Sequence, residues 1–231
     1  MISIIIPTFN ESSCIEKTMS KIREYDENNL VKEIIIADGG SSDNTTTLAA
    51  SNQARVVISN KKGRAAQMNV GASYATGDIL YFLHADTIPA KNFTADISNS
   101  VKNGFGAGCF MLSFDYSHWF LKANCWFTRF DVDAIRFGDQ SLFLTRDLFI
   151  QTDGFSENHI IMEDQQLIKR LKRITRFTII KKSVVTSARK YLKNGIYKTQ
   201  GIFFIIYAMY RLGYSQQKLV STYKYLIAEE K

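Results

Sequence analysis

Four short polar clusters hold the residues able to do chemistry: Thr8, Asn10 and Glu11; Asp38 with Asp43; His84-Ala85-Asp86; and Glu163-Asp164. Carboxylates dominate them. An ionised carboxylate only accepts hydrogen bonds, so it reads the N–H and O–H groups of a ligand. It is also a hard oxygen ligand for a cation such as Mg2+. Suitably placed, it takes the proton of an attacking hydroxyl. Each cluster also has a plainer explanation. Thr8, Asn10 and Glu11 follow an apolar run and suit a turn. Asp43 or Ser42 suits a helix cap, and Glu163-Asp164 suits the positive end of a helix.

The elements that must position these clusters are legible from periodicity and punctuation. Residues 2–6 form an apolar run expected to be a strand buried on both faces, broken at 7–10. Ser13 and Glu16 have capping-box spacing, and Ile15, Met19 and Ile22 then recur on one helical face. Residues 33–37 read as a second buried strand and 55–59 as a third. A small-residue helix is expected at 63–75, with Gly77 just beyond its end. Residues 79–83 read as a fourth strand. Strands alternating with helices at this spacing predict a mostly parallel sheet covered on both faces. Ligands bind such sheets at the carboxyl ends of the strands, where the clusters at 8–11, 38–43 and 84–87 all fall.

Past Pro89, which suits a first helical turn, the pattern is less regular. Strands are expected at 107–114 and 141–145, an aromatic helix at 118–130, and a helix at 163–173 with acids first and bases last. Two C-terminal helices follow at 196–212 and 216–228. The expected organisation is one domain over 1–231: a ligand-binding half at 1–87, a catalytic half at 88–190, and a helical extension at 191–231.

Pro7-Thr8-Phe9-Asn10-Glu11, Ala37-Asp38-Gly39-Gly40-Ser41-Ser42-Asp43, Gly77-Asp78 through His84-Ala85-Asp86, and Met162-Glu163-Asp164 resemble, in order and spacing, the motifs of family 2 glycosyltransferases. The resemblance implies the GT-A fold, a Rossmann-like sheet flanked by helices. It also implies inverting transfer of a sugar from a UDP- or GDP-linked donor to a saccharide or lipid-linked acceptor. Pro7, Thr8, Asn10 and Glu11 match the first donor loop, and Asp38 matches the aspartate that meets the nucleotide base. Arg64 stands where a basic residue lies near the nucleotide, though a solvated surface arginine explains it too. His84-Ala85-Asp86 occupies the DxD position, with Asp86 as ligand of Mg2+ or Mn2+ and a histidine in place of the first acid. Asp164 matches the catalytic base, and Glu163 beside it could touch the acceptor or the sugar. Asp139, in the cluster 136–140, could touch a donor hydroxyl or simply shape a turn. A catalytically weak nucleotide-sugar-binding protein is the alternative, because one DxD acid is missing.

Composition bounds the rest. The chain has 231 residues, net charge +7, and three cysteines, Cys14, Cys109 and Cys125, that form no CxxC pair. This usage fits a reducing cytoplasm and no structural zinc. The N-terminus runs straight into a strand-like segment without a basic leader, so no signal peptide is expected. Residues 169–198 carry eleven Lys/Arg and no Asp/Glu, a local cationic patch on an otherwise mildly acidic chain. No nucleic-acid-binding motif accompanies it, and no nucleic-acid partner is expected. The apolar run at 202–210 falls short of the roughly 20 residues a membrane span needs. With Lys198 and Arg211 it suits peripheral contact with the inner face of a membrane, or else a buried helix with a solvated basic side.

Overall fold

The structure is a computed structural model that describes residues 1–132 and 138–227. Among the described residues the elements run β1 (Ile2–Thr8), α1 (Ile15–Tyr25), β2 (Val31–Asp38), α2 (Thr45–Ser51), β3 (Arg55–Ile58), α3 (Arg64–Tyr74), β4 (Ile79–Phe82) and β5 (Thr87–Ile88). They continue with α4 (Phe93–Lys102), β6 (Ala107–Phe114), α5 (Trp119–Phe127), a short 3-10 helix (Gly138–Gln140), β7 (Leu142–Thr145), α6 (Arg146–Gln151) and α7 (Glu163–Ile174). Last come β8 (Phe177–Thr186), α8 (Arg189–Asn194), α9 (Ile196–Arg211) and α10 (Gln216–Leu226).

The eight strands form one sheet in the order β3-β2-β1-β4-β7-β6-β8-β5. β1, β2, β3 and β4 pair in parallel, as alternating βαβ units require. β7 pairs antiparallel with both β4 and β6, which makes β6 and its parallel partner β8 run in the same direction as β1. The carboxyl ends of β1, β2, β4 and β8 therefore share one edge with the amino end of β7. Strand β1 shows why the sheet needs cover on both faces. Ile2, Ile4 and Ile6 point into a core with Ile15, Met19 and Ile22 of α1. Ile5 points into the opposite core with Met68 of α3 and Leu167 and Leu171 of α7. α3 lies unusually close to β1: a Cβ on Gly71 would sit 2.5 Å from Ile5 Cγ2.

Several local expectations need correction. Pro7 belongs to β1 rather than breaking it, in register with Ala37. The Ile5 carbonyl accepts from Leu83 N–H on the β4 side, and the last β1–β4 pair is Ile5↔Phe82. Pro7 is the next residue facing that side, beyond the end of β4, so its missing N–H costs no ladder bond. The Ser13–Glu16 capping box does not form. α1 starts at Ile15, with the Glu11 carbonyl accepting from Cys14 and Ile15. Gly77 is not a helix stop: a Cβ there would lie 2.7 Å from Ser3 N, so it permits a close backbone approach. Pro89 precedes α4 by a full turn. β8 and α6 went unrecognised in the sequence. Arg136 and Phe137 of the polar cluster, and Ala228 of the last helix, lie outside the described residues.

Candidate active site

The carboxyl edge of the sheet gathers Thr8, Asn10 and Glu11 after β1, Asp38 at the end of β2, and His84, Ala85 and Asp86 after β4. Asp139 comes from the 3-10 turn ahead of β7. Glu163 and Asp164 open α7, and Arg64 opens α3.

The first two loops are laced together. Asp38 is buried, and its carboxylate accepts four hydrogen bonds. Thr8 Oγ1 (2.9 Å) and Ser41 Oγ (2.6 Å) donate to Oδ1, and Gly40 N–H (2.9 Å) and Ser41 N–H (2.7 Å) to Oδ2. These fill its acceptor capacity, so a base N–H can reach Asp38 only by taking the place of a rotatable hydroxyl. Asn10 stands in the left-handed region (φ 55°) and its Oδ1 accepts from Ser42 N–H at 2.9 Å. Asp43 accepts from Thr45 N–H at the head of α2 and from Ser12 N–H (3.1 Å). It stitches the loop from one residue ahead of the N-cap position, which falls on Asn44 rather than on Asp43 or Ser42 as expected. Buried Gln67 donates to the carbonyls of Thr8 (2.6 Å) and Ala37 (3.0 Å), clamping the ends of β1 and β2 together. A Cβ on Gly39 would lie 2.9 Å from Gln67 Nε2, so a side chain there would have to displace the end of Gln67.

Two ion pairs and one cationic bridge organise the rest. His84 Nδ1 lies 3.0 Å from Asp139 Oδ1. Burial alone would lower the His84 pKa, but the hydrogen bond and charge of Asp139 outweigh it and leave it raised. Asp86 is largely buried. Desolvation, with the nearby Asp139 and Glu11 charges, raises its pKa against the pull of His84 and Arg189. Arg189 Nη2 contacts both Glu11 carboxylate oxygens at 2.7 Å and Asp86 Oδ2 at 3.4 Å. Glu163 is fully buried, with Oε1 2.8 Å from Arg64 Nε. Arg64 is therefore no free surface arginine. Next to that pair, burial and then the Glu163 charge push the Asp164 carboxyl up to about 7. Met162, just before α7, adopts φ 66°, a strained backbone for a non-glycine residue. It packs on the cluster formed by α9 and α10.

The expected catalytic and metal-binding residues therefore gather at the carboxyl edge of the sheet. Charge interactions link Asp164 to Glu163, Arg64, His84 and Asp139, and Asp86 to His84, Asp139, Arg189 and Glu11. Sequence reasoning missed Arg189 and Gln67. Arg189 was hidden in the basic run at 169–198, and recognising β8 would have put it at the carboxyl edge. Gln67 sits mid-helix among small apolar residues and gives no sequence signal of its role.

The family profile described as glycosyl transferase family 2 matches residues 3–144, well over half of the chain. The chain belongs to glycosyl transferase family 2. Solved structures of similar shape share the GT-A arrangement at low sequence identity. A mannosyltransferase from Pyrobaculum calidifontis, solved with GDP-Man and Mn2+, aligns at 16% identity over 97% of this chain and 69% of its own, with TM-score 0.70. TarS (residues 1–349) from S. aureus aligns at 13% identity over 97% of this chain and 70% of its own, with TM-score 0.68. Glucosyl-3-phosphoglycerate synthase from Mycobacterium tuberculosis, solved with Mn2+, UDP and glucosyl-3-phosphoglycerate, aligns at 16% identity over 100% of this chain and 81% of its own, with TM-score 0.63. No curated protein sequence matches the chain. The family 2 chain is thus a glycosyltransferase with the α/β GT-A fold, and its acid-rich cleft lies at the edge where this fold class binds ligands.

Proposed function

We propose that this family 2 enzyme transfers a sugar, with inversion, from a UDP- or GDP-linked donor to a hydroxyl of a saccharide or lipid-linked acceptor. Asp164 is the general base. The observation that carries this reading is the environment of Asp164: a buried carboxyl beside the Glu163–Arg64 ion pair, with its pKa raised towards neutrality. A base of that strength holds a hydroxyl proton far better than an ordinary carboxylate does, and one positioned base contributes about 10²–10⁴-fold.

On the donor side, Pro7, Thr8, Asn10, Glu11 and Asp38 form the nucleotide wall, supported by the tight lacing of their two loops. Arg64 orients Glu163 and adds positive charge to the cleft. His84 and Ala85 lie along the diphosphate path, and Asp139 holds the His84 ring for contact with a phosphate or sugar hydroxyl. Three metal-binding side chains are not preassembled among the described residues. Asp86 would hold a metal here, a role that a single protein carboxylate can fill because Mg2+ commonly draws its other ligands from phosphate and water. A largely buried carboxylate with acids and one permanent cation, Arg189, around it fits that role, and Mn2+ suits the same oxygen donors. When bound, the ion neutralises charge on the departing diphosphate. Arg189, now bridging Glu11 and Asp86, has the charge and reach to turn towards the same phosphates. A lipid-linked acceptor would bring the enzyme to the inner face of a membrane as a peripheral protein.

Asp164→Asn tests the assignment. Donor affinity should be unchanged and transfer should fall by about 10²–10⁴-fold. A variant that keeps wild-type turnover would remove Asp164 from the mechanism.

A further inference from the structure

Helix α9 carries apolar residues on both of its sides. Its inner side buries Thr199, Gln200, Ile202 and Ile206. Its outer side exposes Tyr197, Phe204, Ile205 and Leu212. With Gly201 and Ala208 these make one continuous stripe at 3.6-residue spacing. A surface helix ordinarily turns polar residues outward, so this face is made to be covered. The stripe extends onto α5. Trp119 is 68% exposed, its ring lies 6.5 Å from that of Tyr197, and the Phe120 ring lies 4.9 Å from Tyr197.

The described residues after Asp164 carry charge of one sign. Between Asp164 and Glu229 the sequence has fourteen Lys/Arg and no Asp/Glu. Lys198 and Arg211 flank the stripe, and exposed Lys122 lies beside Trp119 on α5. A second copy of the chain, docked symmetrically through this face, would set Lys198 and Arg211 near the other copy's cations, where the described residues of α8, α9 and α10 offer no acid to pair them. An anionic lipid surface complements the same pattern. Apolar residues enter the headgroup–acyl boundary, Trp and Tyr favour that depth, and Lys and Arg meet lipid phosphates. None of the helices among the described residues is long and apolar enough to cross a membrane, so α9 would lie in the plane of the interface.

We propose that the outer face of α9, extended by Trp119 and Phe120 of α5, docks this enzyme on an anionic lipid bilayer. Arg189, which touches Glu11 and Asp86, opens the short helix α8 immediately before α9. Docking through α9 therefore holds the cleft close to the bilayer and lets a lipid-linked hydroxyl approach it. Only this last point rests on the transferase reading; the docking itself does not.

The test is flotation of the full chain with vesicles of phosphatidylcholine alone or mixed with phosphatidylglycerol, at low and high salt. The wild type should float with the anionic vesicles and be released by salt. Phe204→Ser with Leu212→Ser, and separately Lys198→Glu with Arg211→Glu, should each weaken binding by about tenfold or more. Thermal unfolding of both variants should match the wild type, since all four side chains are exposed. The proposal is overturned if the wild type floats with neither vesicle, or if both variants bind as it does. It also fails if sedimentation velocity shows a dimer that Phe204→Ser dissolves while vesicles have no effect. Because flotation needs no turnover, a chain that floats as described but transfers no sugar would count against the transferase reading alone.

Discussion

Replacing Arg64 by alanine separates the electrostatics of this cleft from its packing. Glu163 has no exposed surface and meets the Arg64 guanidinium at 2.8 Å. Breaking a fully buried pair on one side costs about 3–5 kcal/mol, because a buried charge is left uncompensated. The Arg64 side chain is 47% exposed, so water already screens part of the attraction and the cost should fall to about 1–3 kcal/mol. At roughly 2–4 °C per kcal/mol for a chain of this size, the melting temperature should drop by about 2–12 °C. The pH dependence has a definite sign. Without Arg64, the folded-state pKa of Asp164 rises further above the unfolded value. Its favourable contribution then survives only at low pH and is lost as pH rises. The deficit of Arg64→Ala should therefore be large at neutral pH and shrink on acidification. Arg64 also lowers the Asp164 pKa, so the variant's turnover should need a more alkaline pH. Urea unfolding across pH, repeated in a Glu163→Gln background, reads all of this. If Arg64→Ala costs the same with and without the Glu163 charge, or costs nothing at neutral pH, the ion-pair account is wrong.

The remaining predictions are shorter. Wild-type turnover should rise with pH through an apparent value near 7 as Asp164 loses its proton. Over the same range the ionised buried carboxyl should cost stability, because a raised folded pKa favours the fold only while the group is protonated; parallel pH profiles of rate and of urea midpoint check both signs. Gly71→Ala should destabilise by about 1–3 kcal/mol, because its Cβ would overlap Ile5 Cγ2, and a thermal melt unchanged from wild type would refute the close α3–β1 approach. Gln67→Leu should destabilise by about 0.5–1.5 kcal/mol by removing its hydrogen bonds to the Thr8 and Ala37 carbonyls, the first of which keeps Gly39 N–H, and should weaken nucleotide affinity more than Gly71→Ala does.

The N-terminal half was readable because each of its strands is a short apolar run followed by turn chemistry, and each such turn proved to lie at the carboxyl edge. Three of the four site clusters were legible for the same reason, since topology alone brings strand ends together; Glu163-Asp164, at a helix start, was legible only through the family resemblance. β8 was not legible. Its sequence, FTIIKKSVVT, mixes partly exposed apolar residues with lysines, and it lies inside a basic run that reads as a surface patch. Missing it concealed Arg189, the cation that bridges Glu11 and Asp86. The counter-ion of Glu163 was equally hidden, because Arg64 and Glu163 are 99 positions apart and only the packing of α3 beside α7 brings them together. Capping was misjudged at α1 for a local reason: the Glu11 carbonyl, held by Glu11 N–H donation to Thr45 Oγ1, already serves the helix start. His84 shows a different limit. Its departure from an acidic pair was plain in the sequence, but its partner Asp139 appears only once the 3-10 turn is folded against β6 and β8.

Donor binding tests the central claim most directly. Thermal unfolding should be followed for wild type and Asp86→Asn with UDP, GDP and their sugar conjugates, each with and without Mn2+. A ligand at about 100 times its dissociation constant stabilises by roughly 2.7 kcal/mol, which at this chain length is a shift of several degrees. The account predicts such a shift for one nucleotide class, strengthened by Mn2+ in the wild type and insensitive to Mn2+ in Asp86→Asn. A wild type whose transition no nucleotide moves, with or without the metal, would contradict it.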